Sequence, residues 1–470
     1  MPQGRFRKIA MFSASLITSP QVLEFIQVAI KRKLDALQVS TALNKAGYSN
    51  EERSAIMDYM ALLPKIQEKF GCLLASDKNR FLLCDKLALE QSTAQDIGCW
   101  KANLWSAGSD GDGSKSGAST VHDLCCGMGG DSFFIPTSFK VVGVDLDEKR
   151  LDMYRHNMKA IGKTAEVVCG DVREVAKIRE MPAGVYPGLR SGAGMTNTKF
   201  FTIDPARRAL EGENQRDLRN LTPTLEEVVE ISKHYQGGMV KLPPGYPPAE
   251  IPDGTEILYL GGHSDCRECL VLFGSLAKNP DTVRAVMTSK DGNALAEWSR
   301  PRDRSHETLD EDLQEKLDRN DSLEGRDRTY RTSTSRSDLP IGKIARYLSE
   351  PAPILIRSHL FNAAALSSDP QAHLISEGIA YVASGLPLPA PGFTCYEIVA
   401  HSEISTGAVR SMLKEHDIGK ITLKLRGVKL DPDAEIKRLK PKGKKSAILF
   451  YTRAAGEKIA LLSLDHRFTF

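Results

Sequence analysis

Asp123-Leu-Cys-Cys-Gly-Met-Gly-Gly-Asp131 is the stretch of sequence that decides how this chain folds. It continues a short apolar run that begins at Val121 and is typical of a β-strand. Glycine lets a backbone turn tightly and approach a ligand closely, because it has no side chain and tolerates positive φ angles. A strand that ends in such a turn is typical of the ligand-binding edge of a doubly wound α/β sheet. The stretch therefore predicts a ligand site at the carboxyl end of the first strand.

Three further apolar runs end in a carboxylate, namely 141–145, 166–171 and 200–204. Segments that suit helices or loops separate them, which predicts βαβ units and a mainly parallel sheet. Later apolar runs at 239–242, 256–260 and 269–273 complete seven strands. Only the short polar segment 261–268 separates the last two, so we expect a hairpin and one antiparallel strand.

The acids at the strand ends indicate the kind of ligand. A complete dinucleotide pattern would need glycine at position 132, where Ser132 stands, and no phosphate-binding Gly-Lys-Ser/Thr follows. Asp145 lies 18 residues after Gly127, where an acid can accept hydrogen bonds from both ribose hydroxyls. Asp171 ends the third strand, where it can meet an adenine amino group. The alternative is a set of ordinary turn or capping acids. Three such acids in register after a glycine turn favour a nucleoside cofactor without a pyrophosphate, S-adenosylmethionine.

The fourth strand ends in Asp204-Pro205-Ala206-Arg207-Arg208. Asp204 supplies an acceptor oxygen and Pro205 a rigid carbonyl at the place where a methyl acceptor would enter. The two arginines carry fixed donors that suit phosphate or carboxylate. We therefore predict Asp204, Pro205 and Arg207 as catalytic and Arg207 and Arg208 as substrate-binding. The alternative is a proline turn with surface arginines.

These residues together resemble the class I S-adenosylmethionine-dependent methyltransferases, and more narrowly a family with a C-terminal THUMP-like domain. The stretch 123–131 is similar to motif I, 144–147 to the ribose-binding acid, 170–172 to the adenine-site acid, and 204–208 to the family's Asp-Pro-Ala-Arg-Arg. Further similar segments lie at 91–93, 101–102, 241–245, 266–274, 348–351, 418–427 and 447–453. The resemblance covers residues 90–280 and 340–470, and the N-terminal helices more loosely.

The resemblance implies a methyltransferase that uses S-adenosylmethionine as cofactor and acts on RNA, either tRNA or rRNA. Relatives that methylate amino groups often carry an aromatic ring, on which an extruded base stacks, after Asp/Asn-Pro-Pro. Ala206 and Arg207 replace the second proline and the aromatic residue here, so that ring is missing. A protein or small-molecule methyltransferase, or a cofactor-binding regulatory module without transfer, remains an alternative. The predicted cofactor-binding residues are Asp123, Cys125, Gly127, Gly129, Asp145, Leu146, Asp171, Val172 and Asp204.

Nine cysteines offer a second chemistry, since methylation at carbon 5 of a pyrimidine uses a thiolate that attacks the ring. Cys125 and Cys126 lie in the glycine stretch, and Cys266 and Cys269 near the last hairpin. Core or loop positions are favoured over a catalytic role for them. Cys266 and Cys269 have no second ligand pair at a zinc spacing, so we predict no metal. The odd, sparse set indicates reduced thiols.

Composition excludes several classes of protein. The 470 residues include 63 basic and 60 acidic ones, with 41% hydrophobic and 26% charged residues, which is typical of soluble chains. No apolar run reaches 18 residues, so we expect no membrane span. The apolar patch near the N-terminus is shorter than the core of a signal peptide, which favours a cytoplasmic protein.

The chain divides into four predicted parts: an N-terminal helical domain (1–88), a methyltransferase domain (89–285), a polar charged linker or insertion (286–339) and an α+β THUMP-like domain (340–470). The predicted fold class is α/β, with a Rossmann-like seven-stranded sheet in the second part. From Lys414 to Lys445 there are 11 Lys or Arg against 5 Asp or Glu. We predict RNA phosphate contacts at Lys437, Arg438 and Lys440, against the alternative of a solvated loop.

Overall fold

The structure is a computed structural model that describes residues 14–74, 81–106, 119–164, 166–174, 198–207, 218–302 and 339–468. Within these ranges, no helix is both long enough and apolar enough to cross a membrane.

The N-terminal region is helical, as predicted. Asp35 caps one helix by accepting from the backbone N–H of Gln38, whose side chain accepts from Asp35 in return. The buried faces of these helices share one hydrophobic core with Met128 of the glycine stretch and Tyr154 behind it. The helices therefore pack directly against the core that supports the glycine stretch. They are α1 (Ala14–Ile17), α2 (Pro20–Lys31), α3 (Ala36–Lys45), α4 (Asn50–Leu74) and α5 (Lys86–Gln91).

The central part alternates strands and helices. Its elements are α6 (Gln95–Ser106), β1 (Thr120–Leu124), β2 (Lys140–Asp145), α7 (Glu148–Ala160), β3 (Glu166–Cys169), β4 (Thr198–Ile203), β5 (Ala206–Arg207), β6 (Leu221–Thr222), α8 (Leu225–Ser232), β7 (Gly237–Leu242), β8 (Glu256–Gly261), β9 (Glu268–Gly274), β10 (Thr282–Thr288) and β11 (Ala294–Pro301).

The main sheet has the strand order β11-β10-β8-β9-β7-β4-β1-β2-β3. All seven predicted strands are present in it. β1 is parallel to both β2 and β4, so the strand order reverses beside β1 and leaves a crevice at its carboxyl end. β9 is antiparallel to both β7 and β8, which confirms the predicted hairpin.

Two strands extend this sheet into the predicted linker at 286–339. β10 is parallel to β8 and runs to Thr288, and β11 pairs with it antiparallel. The prediction of a linker is therefore wrong for residues 286–288 and 294–301, which belong to strands of the main sheet. β11 is an edge strand whose residues alternate between half-buried and exposed, and its Glu297 pairs with Arg284. Charged side chains on an edge strand hinder its pairing with a further strand. The same polar and charged residues give this strand the composition of a linker. Residues 303–338 of the predicted linker lie outside the described residues.

The connection from β1 to β2 contains a single 3₁₀ turn, Ser132–Phe134, where an α-helix is usual in a βαβ unit. Lys163, just after α7, donates its ammonium to the carbonyl oxygens of Ser132 at 3.3 Å, Phe133 at 2.6 Å and Ile135 at 2.6 Å. This side chain fixes the turn that follows the glycine stretch.

The C-terminal part is an α+β domain, as predicted. Its sheet has the order β13-β14-β12-β15-β18-β17-β16, in which β16 and β17 are parallel and the other neighbouring strands are antiparallel. The elements are β12 (Tyr347–Pro351), α9 (Pro353–Arg357), α10 (Phe361–Ser368), β13 (His373–Leu374), β14 (Val382–Ser384), β15 (Phe393–Glu403), α11 (Thr406–Glu415), β16 (Ile418–Leu425), α12 (Pro432–Leu439), β17 (Lys445–Ala454) and β18 (Glu457–Phe468).

The hydrophobic core is continuous across the predicted boundary at residue 340. Leu355 of α9 and Phe361 of α10 lie in one buried cluster with Ile257 and Tyr259 of β8. These two helices therefore cover part of the main sheet, although the chain reaches them after β12 of the second sheet has begun that domain.

Candidate active site

The glycine turn after β1 has the backbone that its sequence predicts. Cys125, Gly127 and Gly129 have φ angles of 61°, 53° and 97°. A Cβ atom at Gly129 would lie 2.9 Å from the ring of Phe133, so packing requires glycine there. A Cβ atom at Gly127 would meet nothing within 4 Å. The turn therefore leaves open space at Gly127, as a ligand cradle must.

Asp145 joins the glycine turn to the end of β2. Its carboxylate accepts from the backbone N–H of Gly127 at 3.0 Å and from that of Asp147 at 3.0 Å. The side chain of Leu146, next in sequence, is exposed. The predicted ribose acid thus lies at the open turn.

Asp171, after β3, already has a partner. The guanidinium of Arg173 donates to its two oxygens at 2.9 and 3.0 Å and contacts Glu227 at 3.2 Å. Val172, the next residue, is buried. An adenine amino group would share this carboxylate with Arg173, so the predicted contact of Asp171 stays a prediction.

Asp123 lies beneath the turn. Its side chain is buried and accepts a 2.5 Å hydrogen bond from the hydroxyl of Ser132, which also lies 2.7 Å from the hydroxyl of Tyr154. Burial, with a contribution from Asp131, raises the pKa of Asp123 to about 8. Asp123 is predicted to bind the cofactor. Because its side chain is buried, it would contribute by supporting the glycine turn rather than by touching the ligand.

The raised pKa makes stability depend on pH. In the folded state the carboxyl group of Asp123 stays protonated up to about pH 8, whereas in the unfolded state it loses its proton near pH 3.8. Between these pH values the folded state binds more protons than the unfolded state, so the contribution of Asp123 to the free energy of unfolding falls as pH rises. We expect Asp123→Asn to remove this loss, so the stability of the variant relative to wild type should rise from pH 5 to pH 8 in urea unfolding. Asp58→Asn, at an exposed carboxylate on α4, is the control. A constant difference would show that Asp123 is ionised in the folded protein.

Asp204 follows β4, the neighbour of β1, and is therefore at the same edge of the sheet. The ammonium of Lys241, on β7, donates to its Oδ2 at 2.6 Å and to the carbonyl oxygen of Gln91 at 3.1 Å. Burial raises the pKa of Asp204, and Lys241 opposes this rise. Burial alone would lower the pKa of Lys241, but Asp204 and Glu268 outweigh it and raise that pKa. The side chain of Asp204 keeps 33% of its surface exposed, so it remains accessible while paired.

A buried ion cluster lies behind this pair. Lys101 of α6 contacts Asp131, at the end of the glycine stretch, and Glu268 of β9 at 3.2 Å. The hydroxyl of Thr93 lies 2.9 Å from Asp131 and 2.8 Å from Glu268. Burial would raise the pKa of Asp131, but Lys101 and Lys241 lower it to about 2. The cluster therefore ties the end of the glycine stretch to α6, to the segment just before α6 and to β9.

No role for Lys101, Asp131, Lys241 or Glu268 follows from the sequence alone. What points to these four residues in the sequence is that they lie in segments that resemble the methyltransferase family, at 101–102, 123–131, 241–245 and 266–274. Charged residues in such segments, with apolar neighbours, are candidates for buried ion pairs.

The remaining predicted residues are those that follow Asp204 and those of the C-terminal domain. Pro205 is buried directly after Asp204, and the backbone of Arg207 pairs with Leu221 of β6. The side chain of Arg207 and all of Arg208 lie outside the described residues, so their roles stay predictions. Lys437, Arg438 and Lys440 belong to α12 and the loop after it, in the C-terminal domain rather than beside the glycine turn.

The cysteines near the site are not activated. Burial raises the pKa of Cys125, Cys126 and Cys269, and raises that of Cys266 to about 12. A thiol with a raised pKa stays protonated and is a poor nucleophile. The described residues contain no group of three or more His, Cys, Asp or Glu placed to hold a metal ion.

The strand order, the glycine turn and the strand-end acids are consistent with a Rossmann-like methyltransferase fold, and the chain is an S-adenosylmethionine-dependent methyltransferase. Residues 118–197 match the family model described as RNA cap guanine-N2 methyltransferase. Residues 393–463 match the THUMP domain-like model, which confirms the predicted THUMP-like character of the C-terminal domain.

Relatives support the same class. Two proteins of Mycobacterium tuberculosis, from strains CDC 1551 and H37Rv, are each named an uncharacterized S-adenosylmethionine-dependent methyltransferase. Each is 26% identical to this chain in an alignment of 389 positions that covers 80% of this chain and 85% of the relative. A crystal structure from Porphyromonas gingivalis W83, described as a methyltransferase, superposes with a TM-score of 0.66 at 16% identity. The superposition covers 95% of this chain and 98% of the other chain, so the two proteins share a fold over most of their length.

Proposed function

We propose that this protein transfers the methyl group of S-adenosylmethionine to an RNA, either a tRNA or an rRNA. The observation that carries the proposal is the pairing of Asp204 with Lys241, one strand away from the open glycine turn. The match of residues 118–197 to the RNA cap guanine-N2 methyltransferase model and the THUMP-like domain support RNA as the acceptor.

The described residues fit the cofactor. Gly127 leaves the space that a ligand needs, and the carboxylate of Asp145 lies beside it to accept the ribose hydroxyls. Asp171 and Val172 lie at the end of β3, where the adenine ring would bind. When bound, S-adenosylmethionine supplies a methyl group on a positively charged sulfonium. Cys125, Gly129 and Leu146 complete the surface that we assign to it.

Asp204 orients the acceptor. Lys241 binds Oδ2, so we assign Oδ1 to an N–H or O–H of the methyl acceptor. Displacement at a sulfonium gains most from proximity and alignment, and a carboxylate held by a buried ammonium fixes that alignment before the substrate arrives. Pro205 stiffens the backbone after it, and Arg207 and Arg208 would bind substrate phosphate.

One experiment distinguishes an RNA methyltransferase from a protein methyltransferase and from a cofactor-binding protein without transfer activity. The purified protein is first titrated with S-adenosylmethionine by calorimetry and then incubated with cofactor labelled in its methyl group, total RNA and total protein. We expect label to enter RNA and to be lost on ribonuclease treatment. Label in protein would overturn RNA as the acceptor, and binding without transfer to either would overturn the enzyme.

A further inference from the structure

The loop between α12 and β17 carries a dense positive charge. Lys440, Lys442, Lys444 and Lys445 fall within six residues and all are exposed. Within the described part of the chain, none of them forms an ion pair with a carboxylate. Charges that are not neutralised within the protein can bind an external anion without first breaking an internal pair.

The backbone of this loop is fixed. The N–H of Gly443 donates to the carbonyl oxygen of Ile418 at 2.9 Å, and those of Lys444 and Lys445 donate to that of Asp417 at 2.9 and 2.8 Å. Gly419 passes so close that a Cβ atom there would lie 1.7 Å from the carbonyl oxygen of Gly443. The ammonium groups therefore extend from a rigid base, which lowers the entropy lost on binding.

Lys420 of the edge strand β16 is a further exposed lysine beside this loop. It pairs in register with Ser446, which directly follows Lys445, and its side chain is exposed while that of Ile421 is buried. We call Lys420, Lys440, Lys442, Lys444 and Lys445 the lysine surface.

The helix before the loop has a different role. Arg438 donates to the buried carboxylate of Glu435 at 2.8 Å, and its carbonyl oxygen accepts from Arg410. Lys437 lies in the last turn of α12, where a cation stabilises the helix dipole. Of the three residues predicted to bind phosphate, only Lys440 belongs to the lysine surface.

We propose that the lysine surface binds the phosphate backbone of the RNA substrate, an inference that rests on RNA as the proposed acceptor. Lysine ammonium groups on a polar surface suit closely spaced phosphates, and they position a nucleic acid without reading its bases. The surface thereby holds the RNA on the C-terminal domain while the acceptor enters at Asp204.

The test uses the full chain and fluorescein-labelled tRNA, with affinity measured by anisotropy from 50 to 300 mM KCl. One variant combines Lys442→Ala, Lys444→Ala and Lys445→Ala. The matched control combines Lys31→Ala, Lys45→Ala and Lys65→Ala, which removes three exposed charges from the N-terminal helices. We expect the loop variant to lose about tenfold or more in affinity, and its slope of log K against log salt to become shallower by about 2 to 3. The control should stay near wild type, and calorimetry with S-adenosylmethionine should show that both variants are folded.

The outcomes separate this inference from the proposed function. Equal losses in both variants would overturn the lysine surface, because net charge would then explain them. Competition by polyglutamate as strong as that by unlabelled tRNA would overturn it in favour of an acidic protein partner. An unchanged loop variant, in a protein that still methylates RNA, would overturn the surface alone. A wild type that binds tRNA through this surface but methylates no RNA would overturn the proposed function alone.

Discussion

Asp204→Asn should lower the rate of methyl transfer by about 10²- to 10⁴-fold, the usual range for a positioned acid–base group, with little change in affinity for S-adenosylmethionine. The amide keeps the shape of the side chain but has no negative charge to hold the ammonium of Lys241, now 2.6 Å away, or to attract an acceptor proton. The measurement is single-turnover transfer of labelled methyl to total RNA, with cofactor affinity from calorimetry on the same preparation.

The control for this variant is Asp152→Asn. Asp152 is an exposed aspartate on α7 that pairs with Arg155 at 2.9 Å, so its replacement also removes one ion pair. An exposed pair contributes little to stability, and we expect full activity. Normal turnover in Asp204→Asn, with cofactor bound, would show that this carboxylate takes no part in the transfer. Loss of cofactor binding together with activity would show that Asp204 acts on the cofactor instead.

The sequence predicted the strands and their acids because both obey local rules. A short apolar run that ends in a carboxylate indicates a strand end when it alternates with helix-like segments, and parallel strands bring those ends to one edge. Asp145, Asp171 and Asp204 could therefore be placed together from sequence alone. Their partners could not all be foreseen, since Lys241 is 37 positions from Asp204 along the chain.

The buried ion cluster shows why the rest of the site escaped prediction. Lys101 and Glu268 are 167 positions apart, and a lysine in a helix usually faces solvent. Only the packing of α6 against the main sheet brings the two together and removes water from them. Asp123 is a related case: its place in the motif predicts a ligand contact, but the motif does not show that its side chain is buried and accepts from the hydroxyl of Ser132.

The same limit applies to domain boundaries. Composition marked 286 as the start of a linker, because β11 is a half-exposed edge strand that carries the polar and charged residues Glu297, Ser299 and Arg300. It could not show that Leu355 and Phe361 pack against the main sheet, since a core that joins distant segments leaves no local signal.

Gly127→Val should weaken binding of S-adenosylmethionine by about 100-fold, or about 2.7 kcal/mol, if the cofactor occupies the space beside this glycine. The branched side chain would fill a position where a Cβ atom now meets nothing within 4 Å. It would also strain a backbone with a φ angle of 53°, which costs an L-residue about 1–2 kcal/mol. Calorimetric titration with S-adenosylmethionine gives the affinity, and thermal unfolding gives the stability.

Gly254→Val separates the two effects. Gly254 has a φ angle of 71° and likewise open space around it, but it lies in the turn before β8. Both variants should lose similar stability, because both place a branched residue in the left-handed region. Only Gly127→Val should lose cofactor affinity, since only its side chain enters the cradle next to Asp145. Equal affinities in the two variants would place the cofactor away from the glycine turn, and would remove the ribose role assigned to Asp145 with it.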